Sequence, residues 1–359
     1  MKIERIGFNQ QAVVVLGAGA TRGASFVALK EKQGKALPPL DTDFFTQTQR
    51  LSQAKPKELL GGLIENTVDI FGKNFKLTME GFLTHIEHLS IVYEDYKLTG
   101  RPAENPYPAI RAQFLQVLAA LLDEAIGREP KCVFHEALVK SLSSQDMIIS
   151  FNYDWLIDYA LKIHGSQKWN SRKGYGVNVF VQKKKAKGTE YWAWVNPVSG
   201  QKEYPNQSIT LLKMHGAMNW FPVPTDRKST PRLQLRIRWW HQKGNLKFEI
   251  VPPQWNKPIH SGIYQRIWRK ARSTLAEVKA LIFIGYSLPE TDLPAQSLLM
   301  VDAVKSQGIF PLELLVIVNP NQEARKRIRQ VLLGRINGKT RIMTFDFFEQ
   351  FSNFLGKNE

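Results

Sequence analysis

Val13-Val14-Val15-Leu16-Gly17-Ala18-Gly19-Ala20-Thr21-Arg22-Gly23 is the stretch that decides how this chain is read. A wholly apolar, β-branched run that stops at Gly-Ala-Gly is the pattern of a buried parallel strand entering a tight turn and then a helix. Gly17 and Gly19 permit close backbone approaches that a Cβ forbids, and N–H groups at the start of the next helix favour an anion. The turn therefore reads as a phosphate cradle. A full dinucleotide fingerprint wants glycine where Arg22 stands, and a second strand ending in an acid about 20 residues on. Leu37-Pro38-Pro39-Leu40-Asp41-Thr42-Asp43-Phe44-Phe45 fills that distance, and two adjacent prolines do not make a central strand. A classical dehydrogenase is disfavoured; a nucleotide site is not.

Five further runs share the character of the first. Asp146 to Phe151, Ile209 to Met214, Ala280 to Ile284, Leu314 to Val318 and Arg341 to Phe345 read as strands. Helical patterns follow at Trp155 to Leu161, His260 to Lys279, Asp292 to Lys305, Gln322 to Leu333 and Asp346 to Leu355. Strand alternating with helix predicts an α/β fold: a Rossmann-like parallel sheet with helices on both faces. Between the first two strands, Met79 to Leu89 and Ile110 to Ile126 carry apolar residues at helical spacing, and Phe114, Leu115, Val117, Leu118, Leu121 and Leu122 form a face too wide for a surface helix. A helical insertion is expected there. Arg101 to Pro108, with three prolines, reads as a connector. Gly165 to Gln207 turns basic and aromatic around Lys183-Lys184-Lys185 and Trp192-Ala193-Trp194, the pattern of a β-hairpin insertion.

Composition narrows the class. With 43% hydrophobic and 11% aromatic residues, the 359-residue chain is globular rather than disordered. Its 49 Lys and Arg against 32 Asp and Glu leave +17, a bias toward nucleic acid, an acidic partner or a dinucleotide. A single cysteine, Cys132, excludes a disulfide framework and a cysteine-built zinc module, and fits a reducing cytoplasm. No stretch approaches the ~18 apolar residues of a membrane span. His85 and His88 stand three apart without a third metal partner, so they read as surface or packing residues and no metal is expected.

The predicted strands end in Gly17-Ala18-Gly19-Ala20, Asn152-Tyr153-Asp154, His215-Gly216, Gly285-Tyr286-Ser287 and Asn319. In an open α/β sheet, ligands sit outside the carboxyl ends of the strands, so these signatures would share one rim. Asn-x-Asp also has a plainer use, capping the helix that follows it. Taken in order with Asp43-Phe44, the set resembles the NAD-binding signature of the sirtuin superfamily, specifically its bacterial zinc-less NAD-hydrolase branch of antiphage defence. The likeness spans about Val13 to Phe345.

That resemblance implies one sirtuin-like domain over residues 1–359. Its Rossmann-like core would take about 10–42, 145–165, 208–220 and 260–359, with the helical insertion at about 43–144 and the basic aromatic hairpin at about 166–207. It also implies an NAD+ glycohydrolase in which Asn152 holds the ribose hydroxyls and orders a water, and His215 acts as base. Gly17, Ala18, Gly19 and Ala20 would cradle the pyrophosphate through backbone N–H groups, with Thr21 or Arg22 adding side-chain contacts; Gly285 and Ser287 would meet the adenosine ribose and phosphate side, and Asn319 the adenosine end. Asp43 and Asp154 complete the implied binding set, Asp154 either orienting local polar groups or simply capping its helix. Thr21 stands where the family favours serine, no arginine follows Phe44, and one cysteine cannot build the four-cysteine zinc module of the deacylases. Those departures turn the expectation from deacylation to consumption of NAD as substrate, in a cytoplasmic protein held inactive until triggered. The implied partners are a second copy of the chain, or a subunit such as an ATPase, a translocase or an Argonaute-type nucleic-acid sensor, with direct nucleic-acid contact a further option and no membrane. Two other classes stand beside it: a non-catalytic NAD or ADP-ribose sensor, and a nucleic-acid-binding subunit.

Overall fold

The computed structural model describes residues 11–95, 104–127, 129–170, 174–179, 208–222, 232–235, 248–253, 259, 262–300 and 310–356. The first strand, β1 (Ala12–Leu16), leads into α1 (Ala18–Arg22), α2 (Val27–Lys32), α3 (Phe44–Thr48), α4 (Ala54–Phe71), α5 (Met79–Asp95), α6 (Tyr107–Ile126) and α7 (Val133–Ser141). Next come β2 (Met147–Ser150), α8 (Leu156–His164), β3 (Asn178–Val179), β4 (Thr210–Lys213), β5 (Trp220–Pro222) and β6 (Arg232–Leu235). The last part alternates α9 (Gly262–Glu277), β7 (Ala280–Ile284), α10 (Leu293–Leu299), β8 (Leu314–Val318), α11 (Gln322–Val331), β9 (Arg341–Phe345) and α12 (Phe348–Gly356).

Six strands make one parallel sheet in the order β4-β2-β1-β7-β8-β9. Counted along the chain this is the doubly wound order, with the first strand central and the direction of winding reversed between β1 and β7. β1, β7 and β8 are buried at every position, which explains their unbroken Val, Ile and Leu: a strand covered on both faces has no polar side. β9 is an edge, and its Arg341 and Ile342 are exposed. All six strands fall where the apolar runs place them.

The helical insertion comprises α3 to α7. Its centre is α6, buried around most of its circumference and packed by α3, α4 and α5. Phe114 of α6 meets Phe44 of α3 at 4.6 Å and stacks on Phe82 of α5 at 5.1 Å, so three helices share one aromatic contact. The expected connector is shorter than its prolines suggest. Tyr107 and Pro108 already belong to the first turn of α6, where proline costs no hydrogen bond.

The expected basic hairpin falls largely outside the described residues, as do Lys183 to Lys185, Trp192 and Trp194. Its described part supplies β3 to a second, three-stranded sheet, in which β6 pairs parallel with β3 and antiparallel with β5. No helix among the described residues is long and apolar enough to cross a membrane.

Cys132 is buried at the position just before α7. Its Sγ lies 3.2 Å from His135 Nδ1 and accepts the Ser25 N–H at 3.4 Å, tying the α1–α2 turn to α7. Burial pushes the thiol up, but the hydrogen bond and charge of His135 and the Ser25 contact outweigh it and bring it down to about 6. Alkylation of this sole cysteine by iodoacetamide should therefore rise through a midpoint near pH 6, slowly because only 7% of the residue is exposed. His135→Ala should move that midpoint above about 8, toward an ordinary thiol; an unchanged midpoint would refute the pairing.

Candidate functional site

The parallel ladder runs one residue past the strand ends. Met214 donates its N–H to Ser150, Phe151 to Leu16, Gly17 to Ile284, Gly285 to Val318 and Asn319 to Phe345, all at 2.8–3.1 Å. This brings the five polar signatures to one level along the carboxyl edge of the sheet. Asn152 and His215 each stand two residues beyond the paired Ser150 and Lys213, on strands that are direct neighbours.

At the switch point the two loops meet backbone to backbone. Gly19 N–H donates to the Gly285 carbonyl at 2.9 Å, and Gly285 has φ +60°. A Cβ on Gly285 would lie 2.0 Å from Ala20 N, and one on Gly17 would lie 2.4 Å from Tyr286 Cα. Glycine is required here by the packing of one loop on the other. The N–H groups of Gly17, Gly19 and Ala20, which the sequence assigns to a phosphate, bond to Ile284, Gly285 and Gly17 carbonyls.

Bulk returns on either side of Gly17. Phe151, after β2, stacks on Tyr286, after β7, with ring centroids 4.3 Å apart and planes within 6°. The His215 ring sits among Phe151 at 5.4 Å, Tyr153 at 6.1 Å and Trp268 at 6.3 Å, and the residue is 4% exposed. Trp268 is itself fixed by its indole N–H on the Met214 carbonyl.

The turn from His215 to Trp220 is held by Val251 N–H on the His215 carbonyl and Met218 N–H on Tyr153. On and around this turn lie polar atoms that have no hydrogen-bond partner among the described residues. Both amide atoms of Asn219, the Trp220 indole N–H and the hydroxyl of Tyr264 are buried in this way, and so is Asn152 Oδ1. Tyr264 stands against Gly216, where a Cβ would come within 2.5 Å of its oxygen. Unsatisfied buried polar groups are rare in folded proteins, and several gather around the His215 turn.

Charge is equally localised. Tyr153 and Tyr286 are held well above the usual phenol range, by burial first and then by nearby carboxylates: Asp292 and Glu80 for both, and Asp41 for Tyr153. Tyr286 donates to Asp292 at 3.2 Å, Thr291 donates to Glu80 at 2.5 Å, and Glu80 N–H bonds Asp41 at 2.8 Å. A basic chain thus keeps an acidic corner beside its stacked rings.

Other residues of the implied binding set are bonded within the protein. Asp43 takes the Arg22 guanidinium and the Gln47 amide on one oxygen and Leu40 N–H on the other, and Arg22 also reaches the Pro38 carbonyl. Asn319 donates to the Tyr286 carbonyl and accepts from Asn321 N–H, which ties the ends of β7 and β8 together. Ser287 has an exposed side chain, and its carbonyl accepts from Arg327. Thr21 donates its hydroxyl to Asp154 and accepts from the Asn152 amide. His85 and His88 are exposed on α5.

Asn219, Tyr264, Glu80 and Asp292 were not singled out from sequence. Asn219 lay within reach, four residues after His215 in a turn; Glu80 carried no signal, since α5 brings it in from the helical insertion. Among the described residues no group of three or more His, Cys, Asp or Glu side chains is arranged to hold a metal. The fold defines a doubly wound, Rossmann-like α/β protein whose polar signatures share the carboxyl rim of the sheet. No family model matches the chain, and no curated protein does.

Two stability predictions follow from this geometry. Gly285→Ala should destabilise the protein by at least about 3 kcal/mol in urea unfolding, because backbone cannot yield to the new methyl. Tyr264→Phe removes an unsatisfied hydroxyl and should leave stability unchanged or raise it by up to about 1 kcal/mol; a clear loss would mean the hydroxyl is already satisfied.

Proposed function

We propose that the chain is a sirtuin-like NAD+ glycohydrolase, which cleaves the nicotinamide–ribose bond with water to give nicotinamide and ADP-ribose. The observation that carries this reading is the placing of Asn152 and His215 at one level on adjacent strand ends, beside the switch point of a doubly wound sheet. Water would add to the ribose carbon as its bond to the ring nitrogen breaks. The bonding pair leaves with nicotinamide and neutralises its ring, while His215 takes the proton of the water. The transition state is oxocarbenium-like, so positive charge grows on the sugar as it falls on the ring. The carboxylates of Glu80, Asp41 and Asp292 around Tyr153 and Tyr286 favour a cationic group at this corner. The flat Phe151–Tyr286 stack offers an aromatic surface for a planar ring.

As an NAD-consuming activity it would suit a triggered effector of bacterial antiviral defence, acting as an oligomer or with a nucleic-acid-sensing subunit. The test is nicotinamide release by the purified chain, alone and with candidate triggers. Asn152→Ala and His215→Ala should each lower turnover by about 100-fold or more. Turnover that survives both substitutions would overturn the site; tight NAD binding without turnover under every condition would favour the sensor.

A further inference from the structure

Asn152 is 6% exposed, and its amide makes one hydrogen bond through nitrogen and none, among the described residues, through oxygen. Which way that amide faces is set by its neighbours. A carboxylate only accepts hydrogen bonds. Asp154 Oδ1 takes the Leu156 N–H at 2.9 Å, and Oδ2 takes the Thr21 hydroxyl at 2.8 Å. Thr21 has one proton and gives it to Asp154. Its oxygen can then only accept, and Asn152 Nδ2 is the donor it faces at 3.2 Å. Turning the amide over would set two oxygens against each other without a proton between them.

Asp154 is held in place from behind. The Lys213 ammonium, fully buried, donates to the Asp154 main-chain carbonyl and lies 3.3 Å from Asp158, which also accepts the Tyr175 hydroxyl at 2.7 Å. We propose that Thr21 and Asp154 are positioning residues whose order of hydrogen bonds turns the Asn152 carbonyl toward the ligand, so that the group it takes is a donor: a sugar hydroxyl or the attacking water, not a phosphate. This assigns Thr21 and Asp154 to Asn152, and takes Thr21 away from the pyrophosphate.

The ligand named here rests on the NAD+ glycohydrolase reading, and the experiment separates the two. Thr21→Val keeps the shape and removes the hydroxyl; kcat for nicotinamide release should fall roughly 30-fold with KM changed less than about twofold. Asp154→Asn, whose amide can donate back to Thr21 and reverse the order, should fall as far. Thr21→Ser, which keeps the hydroxyl and loses a methyl, should restore most of the turnover. Pure packing requires the opposite ranking, valine tolerated and serine impaired, and that ranking would overturn the proposal.

A second readout needs no activity. In protein labelled with 15N in its side-chain amides, the Asn152 NH2 pair is assigned by its absence in Asn152→Ala. Thr21→Val should shift that pair and speed its exchange with water at least about tenfold, and Thr21→Ser should leave it near its original position. If the chain neither binds nor cleaves NAD yet the pair responds in this way, the positioning role stands and the NAD reading falls. If Thr21→Val leaves the pair unmoved, the positioning role falls whatever the activity.

Discussion

Two loops meet at the centre of this molecule with no side chain between them. Gly19 bonds to the Gly285 carbonyl, and the space a Cβ would need at Gly17 or Gly285 is occupied by the other loop's backbone. The contact closes the sheet's switch point at the level of the backbone and fixes how far β1 and β7 protrude. Phe151 and Tyr286 stack because their strand ends are level, and the His215 ring finds Phe151 for the same reason. The glycines that sequence reasoning gave to a phosphate therefore have a structural use first, since three of the N–H groups concerned are already bonded.

The charge distribution has two scales. At long range the +17 chain attracts anions. At short range the corner beside Tyr153 and Tyr286 is acidic, with Glu80, Asp292 and Asp41 drawn from the helical insertion, from the segment after β7 and from the segment before α3. A ligand with an anionic body and a cationic ring matches both scales, whereas a uniformly anionic polymer matches only the first. Lys213 shows how closely charge is managed: a fully buried ammonium is tolerated because Asp158 and the Asp154 carbonyl receive it.

The sheet was legible in the sequence because its strands are covered on both faces and so read as unbroken apolar runs. Asn152 and His215 were legible as well, since each follows such a run directly and a strand end fixes its place on the rim. Asn152's orientation was not, because it depends on Thr21, on another strand's loop, and on the one proton Thr21 can give. Glu80 was hidden for a related reason. Only the docking of α5, through Thr291 and Asp41, makes it a neighbour of the stacked rings. Asp43 shows the converse: a motif-like acid whose oxygens are taken by Arg22, Gln47 and Leu40.

β1 begins the sheet in sequence but lies in its middle, flanked by β2 and by β7. Gly19 thus waits on Gly285, a partner that follows it in the chain only after the whole helical insertion, β2 and β4. Until β7 has inserted, the β1 turn lacks the carbonyls that hold Gly17 and Gly19, and Phe151 lacks the ring it stacks on. In a chain emerging from its N-terminus, the rim is completed late, after the layers that cover it are available. A nascent or truncated chain that stops short of β7 would carry Asn152 and His215 without the floor on which they stand.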